Sequence, residues 1–214
     1  MNCKTAVILA AGAGTRMKSE LPKVLHEVCG RPMVSHVISQ AKKAGAETII
    51  AVIGHGAEQV KEGLKEEEIL FALQEKQLGT GHAVMQAADR IPDEGDVFVL
   101  CGDTPLITSE TLAEFAAYHS GSNNAVTVLT AIFDNPFGYG RIIRGEDGNL
   151  QKIVEQKDAD ETEKAVKEVN AGMYCFNGAF LRENLPKLSN QNAQNEYYIT
   201  DLIGMAVESG AGAG

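Results

Sequence analysis

The chain has 214 residues, of which 44% are hydrophobic and 22% charged, with a formal net charge of −10. Such a composition supplies a substantial core for one domain plus a small lobe and excludes a disordered chain. The acidic balance argues against a general nucleic-acid binder, which would present a basic face, and the sequence holds no run of about 20 apolar residues that could span a bilayer.

The first element follows Lys4. Residues 5–11 are apolar but too few for a secretory core, so they read as a buried strand. This strand runs into Leu9-Ala10-Ala11-Gly12-Ala13-Gly14-Thr15-Arg16-Met17, and Pro22-Lys23 follows within the same loop. Glycines let the backbone approach phosphate oxygens without an intervening Cβ. Arg16 and Lys23 add two positive charges. The combination suits holding a polyphosphate and stabilising its charge during transfer. Met17 stands where a dinucleotide fingerprint needs its third glycine, and no Gly-Lys-Ser/Thr follows, so neither a nicotinamide oxidoreductase nor a P-loop is indicated.

A helix is expected from Pro32, with Val34, Val37, Ile38 and Ala41 on its apolar face and Gly45 as its stop. Strands follow at 48–53 and 69–73. A second glycine-bearing turn, Gln74-Glu75-Lys76-Gln77-Leu78-Gly79-Thr80-Gly81-His82-Ala83, leads into a helix striped by Val84, Ala87, Ala88 and Ile91. Gln74 offers a donor and an acceptor to a pyrimidine edge, Gly79 a close backbone approach, and Thr80 both a helix cap and a base contact. His82 reads as a structural helix residue. The strand at 97–100 ends in Cys101-Gly102-Asp103. A carboxylate there, outside the carboxyl end of a strand, suits a divalent ion; magnesium takes one or two carboxylates plus substrate phosphates. A helix after Thr108, carrying Leu112, Phe115 and Ala116, and a strand at 125–132 complete an alternation that predicts an α/β fold: a doubly wound, mostly parallel sheet with helices on both faces.

The texture changes near residue 133. Asp134-Asn135-Pro136-Phe137-Gly138-Tyr139-Gly140 is rich in turn residues, short strands are expected at 141–144, 150–155 and 168–176, and Gly145-Glu146-Asp147-Gly148 reads as a hairpin turn. We expect a nucleotide lobe over about 1–132 and a smaller sugar-binding lobe over about 133–208, lying over the carboxyl ends of the parallel strands. Gly140, Glu155 and Asn170 offer the amide and carboxylate groups that sugar hydroxyl and N-acetyl groups require. Ile199, Leu202, Ile203 and Ala206 mark a last amphipathic helix, opened by Glu196-Tyr197-Tyr198-Ile199-Thr200-Asp201, where Thr200 or Asp201 can cap and the tyrosines can pack. The alternating glycines and alanines of 209–214 read as a flexible or truncated tail. Cys3, Cys29, Cys101 and Cys175 are widely spaced and read as buried free thiols of a reducing cytoplasm, and the five histidines lack zinc-ligand spacing.

Taken together, these segments resemble the sugar-1-phosphate nucleotidyltransferase family over nearly the whole chain. Gly-x-Gly-Thr-Arg-Met with the later Pro-Lys carries the broad likeness. Gln77 to Ala83, Gly138 to Arg141 and Glu196 to Asp201 narrow it to the bacterial N-acetylglucosamine-1-phosphate uridylyltransferase branch. The resemblance implies that Leu9, Ala10, Ala11 and Gly12, with Gln74, Gly79, Thr80, Cys101 and Gly102, hold UTP. It makes Arg16 and Lys23 the catalytic cations and Asp103 the ligand of Mg2+, and gives Gly140, Glu155, Asn170, Tyr198 and Thr200 to the sugar. The implied reaction joins UTP and N-acetylglucosamine-1-phosphate into UDP-N-acetylglucosamine, a cell-wall precursor, with release of pyrophosphate. Transfer to another sugar phosphate, cytidylyl transfer, or binding without turnover are the alternatives. The family's second metal ligand, an asparagine, has no counterpart after Met205, so weak magnesium binding is expected. Longer members are trimeric through a C-terminal β-helical acetyltransferase domain absent here, so this chain is expected to be monomeric.

Overall fold

The computed structural model describes residues 3–214; residues 1 and 2, counted in the expected nucleotide lobe, lie outside the described residues. The apolar stretch after Lys4 forms β1 (Cys3–Ala10). A ribbon of β2 (Glu27–Val28) and β3 (Arg31–Pro32) leads into α1 (Met33–Lys43). Pro32 stands at the N-cap position, and Gly45, at φ +103°, turns the chain after the helix. The alternation continues through β4 (Thr48–Ile53), α2 (Ala57–Gly63), β5 (Leu70–Leu73), α3 (Thr80–Met85), β6 (Asp96–Cys101), α4 (Ser109–Ser122) and β7 (Val126–Ile132). Helix α2 carries no apolar stripe that sequence could show, because Val60 is its single buried residue. The expected helix from Thr80 to Ile91 breaks after Met85 and continues as a 3-10 turn at Ala88–Arg90, with Ala87 and Ile91 still buried.

The second half contributes β8 (Arg141–Arg144), β9 (Leu150–Val154), α5 (Glu161–Lys164), β10 (Glu168–Asn177), α6 (Gly178–Asn184) and α7 (Asp201–Glu208). The eight-stranded sheet runs β5-β4-β1-β6-β10-β8-β9, with β7 on the far side of β10. Strands β5, β4, β1 and β6 are mutually parallel. Residues 168–177, expected in the second lobe, instead form the centre of the main sheet. β10 runs antiparallel to both β6 and β7, which fills the gap between two strands of the same direction. Its first residues then reach past the carboxyl ends of the parallel strands, where Val169 pairs with Arg141 and attaches the β8–β9 hairpin.

Each central strand feeds both layers, because alternate side chains leave opposite faces. Ala6, Ile8, Ile49, Ala51, Phe98 and Leu100 pack under α1, α2 and α4. Val7, Ile50, Val52, Val97 and Val99 join Val84, Leu181, Leu202 and Ile203 from α3, α6 and α7. Burial on both faces explains why these strands read as apolar runs without alternation.

Two expectations fail here. The tail at 209–214 is docked. Ala125 N–H donates to Ala211 O at 2.9 Å, Gly214 N–H to Val126 O at 3.1 Å and Val128 N–H to Gly214 O at 2.8 Å. An edge strand leaves unpaired backbone groups, and the short residues of the tail satisfy those of β7. Cys29 is exposed, while Cys3 and Cys175 are buried and all four thiols are free.

Leu202 of α7 is fully buried in the second layer. Leu202→Ala is expected to cost roughly 2–5 kcal/mol of unfolding free energy, read as a lower urea midpoint at unchanged slope.

Candidate active site

The loops leaving the carboxyl ends of β1, β5 and β6 meet around one cleft of about 400 Å³. Its walls include Leu9, Ala10, Ala11 and Gly12 from the first loop, Gln74, Gly79 and Thr80 from the second, and Cys101 and Asp103 from the third. Arg16 and Lys23 line the same space. Gly102 sits behind it, where a Cβ would lie 3.0 Å from the Leu9 carbonyl.

The glycine-rich loop folds back over its own lysine. Gly14 takes φ +59°, and a Cβ there would stand 2.6 Å from Lys23 Cβ, so a side chain at 14 would push the lysine away. Gly12 borders open space and leaves its backbone bare to the cleft. Behind Pro22, the turn Lys23–Leu25 buries Val24 and Leu25, which roots the lysine stem in the core. Lys23 Nζ donates to Asp103 Oδ2. The loop carrying Asp103 is itself fixed: Gly102 N–H donates to Leu9 O at 2.9 Å, and Thr104 Oγ1 donates to Cys101 O at 2.7 Å. Beside it the Cys101 thiol donates to Gly172 O at 3.1 Å, and burial pushes its pKa up to about 12. That thiol packs as a neutral group rather than a nucleophile.

No cluster of three or more His, Cys, Asp or Glu side chains arranged for a metal occurs among the described residues. A closed protein cage for a metal is therefore not what Asp103 belongs to. A single carboxylate facing a phosphate-sized cleft fits a hard divalent cation that draws its other ligands from water and phosphate oxygens.

The second loop is clamped from outside. Gly79 takes φ +108°, and a Cβ there would lie 2.6 Å from Tyr197 O and 2.8 Å from Tyr197 N. Tyr197 N–H donates to Leu78 O at 2.8 Å, and Gly81 N–H donates to Tyr197 O at 2.8 Å. The expected side-chain cap at Thr80 is not formed. Thr80 Oγ1 instead accepts from Ile199 N at 3.1 Å, because residues 197–199 run alongside and their amides need acceptors. Gln74 is buried, its backbone N–H bonded to Ile53 O at 2.7 Å.

The five residues expected to hold a sugar do not share that cleft. Glu155, Tyr198 and Thr200 line a second hollow of about 470 Å³ with Asp158 and Asp201. Gly140 packs on Glu155, whose Oε1 would stand 3.4 Å from a Cβ at 140. Asn170 donates its backbone N–H to Gly140 O at 2.9 Å, while its side chain bonds Tyr174 Oη at 2.7 Å and accepts from Gly172 N at 2.8 Å. The Tyr198 hydroxyl is already engaged, donating to Asp158 Oδ2 at 3.1 Å and accepting from Gln194 Nε2 at 2.9 Å. Thr200 Oγ1 donates to Glu155 Oε1 at 3.3 Å. Burial raises the pKa of Glu155, the nearby charges of Asp158, Asp201 and Glu196 raise it further, and the Thr200 bond offsets part of this.

Residues 6–166 match the family described as the MobA-like NTP transferase domain. The chain belongs to this family. Among curated relatives, it is 57% identical over 209 residues to the Bifunctional protein GlmU of Alkaliphilus oremlandii (strain OhILAs), covering 98% of this chain and 46% of that protein. It is 58% identical over 199 residues to the protein of that name from Geobacillus thermodenitrificans (strain NG80-2), covering 92% and 43%. It is 54% identical over 214 residues to that of Clostridioides difficile (strain 630), covering 100% and 46%. The chain thus spans less than half the length of these relatives. The crystal structure of UDP-glucose pyrophosphorylase complexed with UDP-glucose shares the fold, with a TM-score of 0.77 at 20% identity over 97% of this chain and 88% of that one.

In this NTP transferase domain the cleft also takes Gln77, Ala83 and Glu196, which sequence reasoning did not assign. Glu196 comes from the segment before α7, far along the chain from the other cleft walls, so only the clamp on Gly79 reveals it.

The raised pKa of Glu155 carries a stability consequence. The folded state holds the proton more tightly than the unfolded chain, so this group's contribution falls as pH rises from the ordinary glutamate range through the raised value. Glu155→Gln is expected to raise the melting temperature relative to the parent at pH 8 and to leave the difference smaller at pH 4, measured by thermal unfolding across that range.

Proposed function

We propose that this domain catalyses uridylyl transfer from UTP to N-acetylglucosamine-1-phosphate, giving UDP-N-acetylglucosamine and pyrophosphate. The observation that carries the reading is the single cleft in which Arg16, Lys23 and Asp103 converge beside the Gln74, Gly79 and Thr80 turn. Two cations and one carboxylate facing bare backbone suit a triphosphate, and the buried amide suits a base. The family membership and the sequence likeness to N-acetylglucosamine-1-phosphate uridylyltransferases support the choice of substrates.

In the proposed reaction an oxygen of the sugar phosphate attacks the α-phosphorus of UTP in line. The bond from that phosphorus to the bridging oxygen breaks, and pyrophosphate leaves with the electron pair. Lys23 and Arg16 stabilise the charge that develops on the non-bridging and leaving oxygens. Before that, Lys23 must exchange its partner Asp103 for phosphate, which frees the carboxylate. Asp103 would then hold Mg2+, which supplies further charge neutralisation on the phosphates. Gly140, Glu155 and Asn170, with Tyr198 and Thr200, orient the sugar so that its phosphate meets the α-phosphorus. Tyr198 serves indirectly in this scheme, because its hydroxyl is held by Asp158 and Gln194. The reading makes the protein cytoplasmic, where UTP is available.

The test is pyrophosphate release from UTP in excess magnesium with either N-acetylglucosamine-1-phosphate or glucose-1-phosphate. Release with the N-acetylated sugar alone is expected. Equal release with glucose-1-phosphate would move the assignment to a broader sugar specificity, and thermal protection by UTP without any release would leave a binding module. Lys23→Ala is expected to lower turnover by roughly 10²-fold or more, the scale of one preorganised charge contact. Parent-like turnover in that variant would remove Lys23 from the machinery.

A further inference from the structure

We propose that His82 sets the base preference of the cleft by fixing which end of the Gln74 amide faces the base. The inference rests on the reading of the cleft as a UTP site and names the residue that gives it selectivity.

Gln74 lines the cleft yet is only 3% exposed. Its Nε2 lies 3.1 Å from the Gly79 carbonyl and 3.0 Å from His82 Nδ1. A carbonyl oxygen can only accept, so the amide atom facing Gly79 is the nitrogen. The other amide hydrogen then points at His82 Nδ1, which must carry a lone pair. The imidazole is therefore the tautomer with its hydrogen on Nε2. Gln86 approaches the same ring from the other side, with its Nε2 3.4 Å from His82 Nε2, but that amide already donates to His82 O at 3.0 Å. One neutral ring offers one lone pair, and the shorter contact assigns it to Gln74.

Both hydrogens of the Gln74 amide are thus committed inside the protein. Its Oε1 has no protein partner among the described residues and is not sealed off as a buried orphan. The cleft therefore receives a bare acceptor. Uracil presents a donor at N3 and pairs with it directly. Cytosine presents a lone pair at N3, and meets Oε1 only by sliding its amino group into that place. Without His82, one of the two anchors is lost and the Gly79 carbonyl alone holds the amide, so the amide turns more readily to give cytosine the donor it needs. His82 is a positioning residue in this scheme: it touches Gln74 and not the nucleotide.

Equilibrium binding of UTP and of CTP to the whole chain tests this in the parent, His82→Ala and His82→Asn. Asparagine places an acceptor oxygen near the position of Nδ1. The parent is expected to prefer UTP, the alanine variant to lose about tenfold of that preference, the scale of one misdirected hydrogen bond, and the asparagine variant to regain most of it. A merely structural role would weaken both nucleotides alike, and an unchanged UTP/CTP ratio in His82→Ala overturns the proposal alone. A parent that binds UTP no better than CTP overturns this proposal together with the UTP reading. Should the alanine variant fail to fold, long-range proton–nitrogen correlation on the parent protein decides: a hydrogen on His82 Nε2 is expected, and one on Nδ1 would sink the idea.

Discussion

The pair between Lys23 and Asp103 is the interaction on which the rest of the site depends. It joins the glycine-rich loop after β1 to the exit of β6, two segments 80 residues apart. Each partner is fixed from behind: the lysine by Pro22 and the buried Val24 and Leu25, the aspartate by the bonds of Gly102 and Thr104. Both heads remain about one-third exposed. A partly exposed pair of this kind contributes little to stability, which is what a site needs if the partners must part when phosphate and metal arrive. Gly14 matters for the same reason, since only a residue without a side chain lets the loop close on the lysine.

The second dependence is on β10. Its antiparallel course between β6 and β7 brings residues 168–172 beyond the ends of the parallel strands. There Asn170 holds the Gly140 carbonyl, and Gly172 receives the Cys101 thiol at the cleft wall. One strand thus spans the nucleotide end of the molecule and the hollow around Glu155. The segment before α7 makes a second bridge. Glu196 lines the cleft, Tyr197 clamps Gly79, and Tyr198 and Thr200 line the second hollow. Motion of that segment must be felt in both places, because its backbone bonds are shared with the turn at 78–81.

That hollow concentrates like charge. Glu155, Asp158 and Asp201 face it together, and burial raises the pKa of both Glu155 and Asp201. Carboxylates placed against each other and away from water destabilise the fold at neutral pH. The hollow contrasts with the exposed ion pairs elsewhere on the surface, such as Lys4 with Glu47.

The sequence by itself determined the local units. The apolar runs at 48–53 and 97–100 read as strands buried on both faces, the helix after Thr108 was legible from its apolar stripe, and the glycine-rich turn placed Arg16 and Lys23 in one loop, as they stand along one cleft, because residue type and spacing act over a few residues. What only the tertiary structure decided were the relations between units. Residues 168–177 carry the same β-branched and aromatic signal whether they sit in a lobe or at the sheet centre; the vacancy between β6 and β7 chose. The tail at 209–214 looks mobile until an edge strand with unpaired amides lies beside it. Thr80 has the chemistry of a cap, yet the nearest unsatisfied amide belongs to Ile199, 119 residues away. The orientation of the Gln74 amide depends on a carbonyl and an imidazole that converge only after α3 has packed on the sheet. Propensity and periodicity act over a few residues, whereas hydrogen-bond partners and electrostatic neighbours are set by packing across the whole chain.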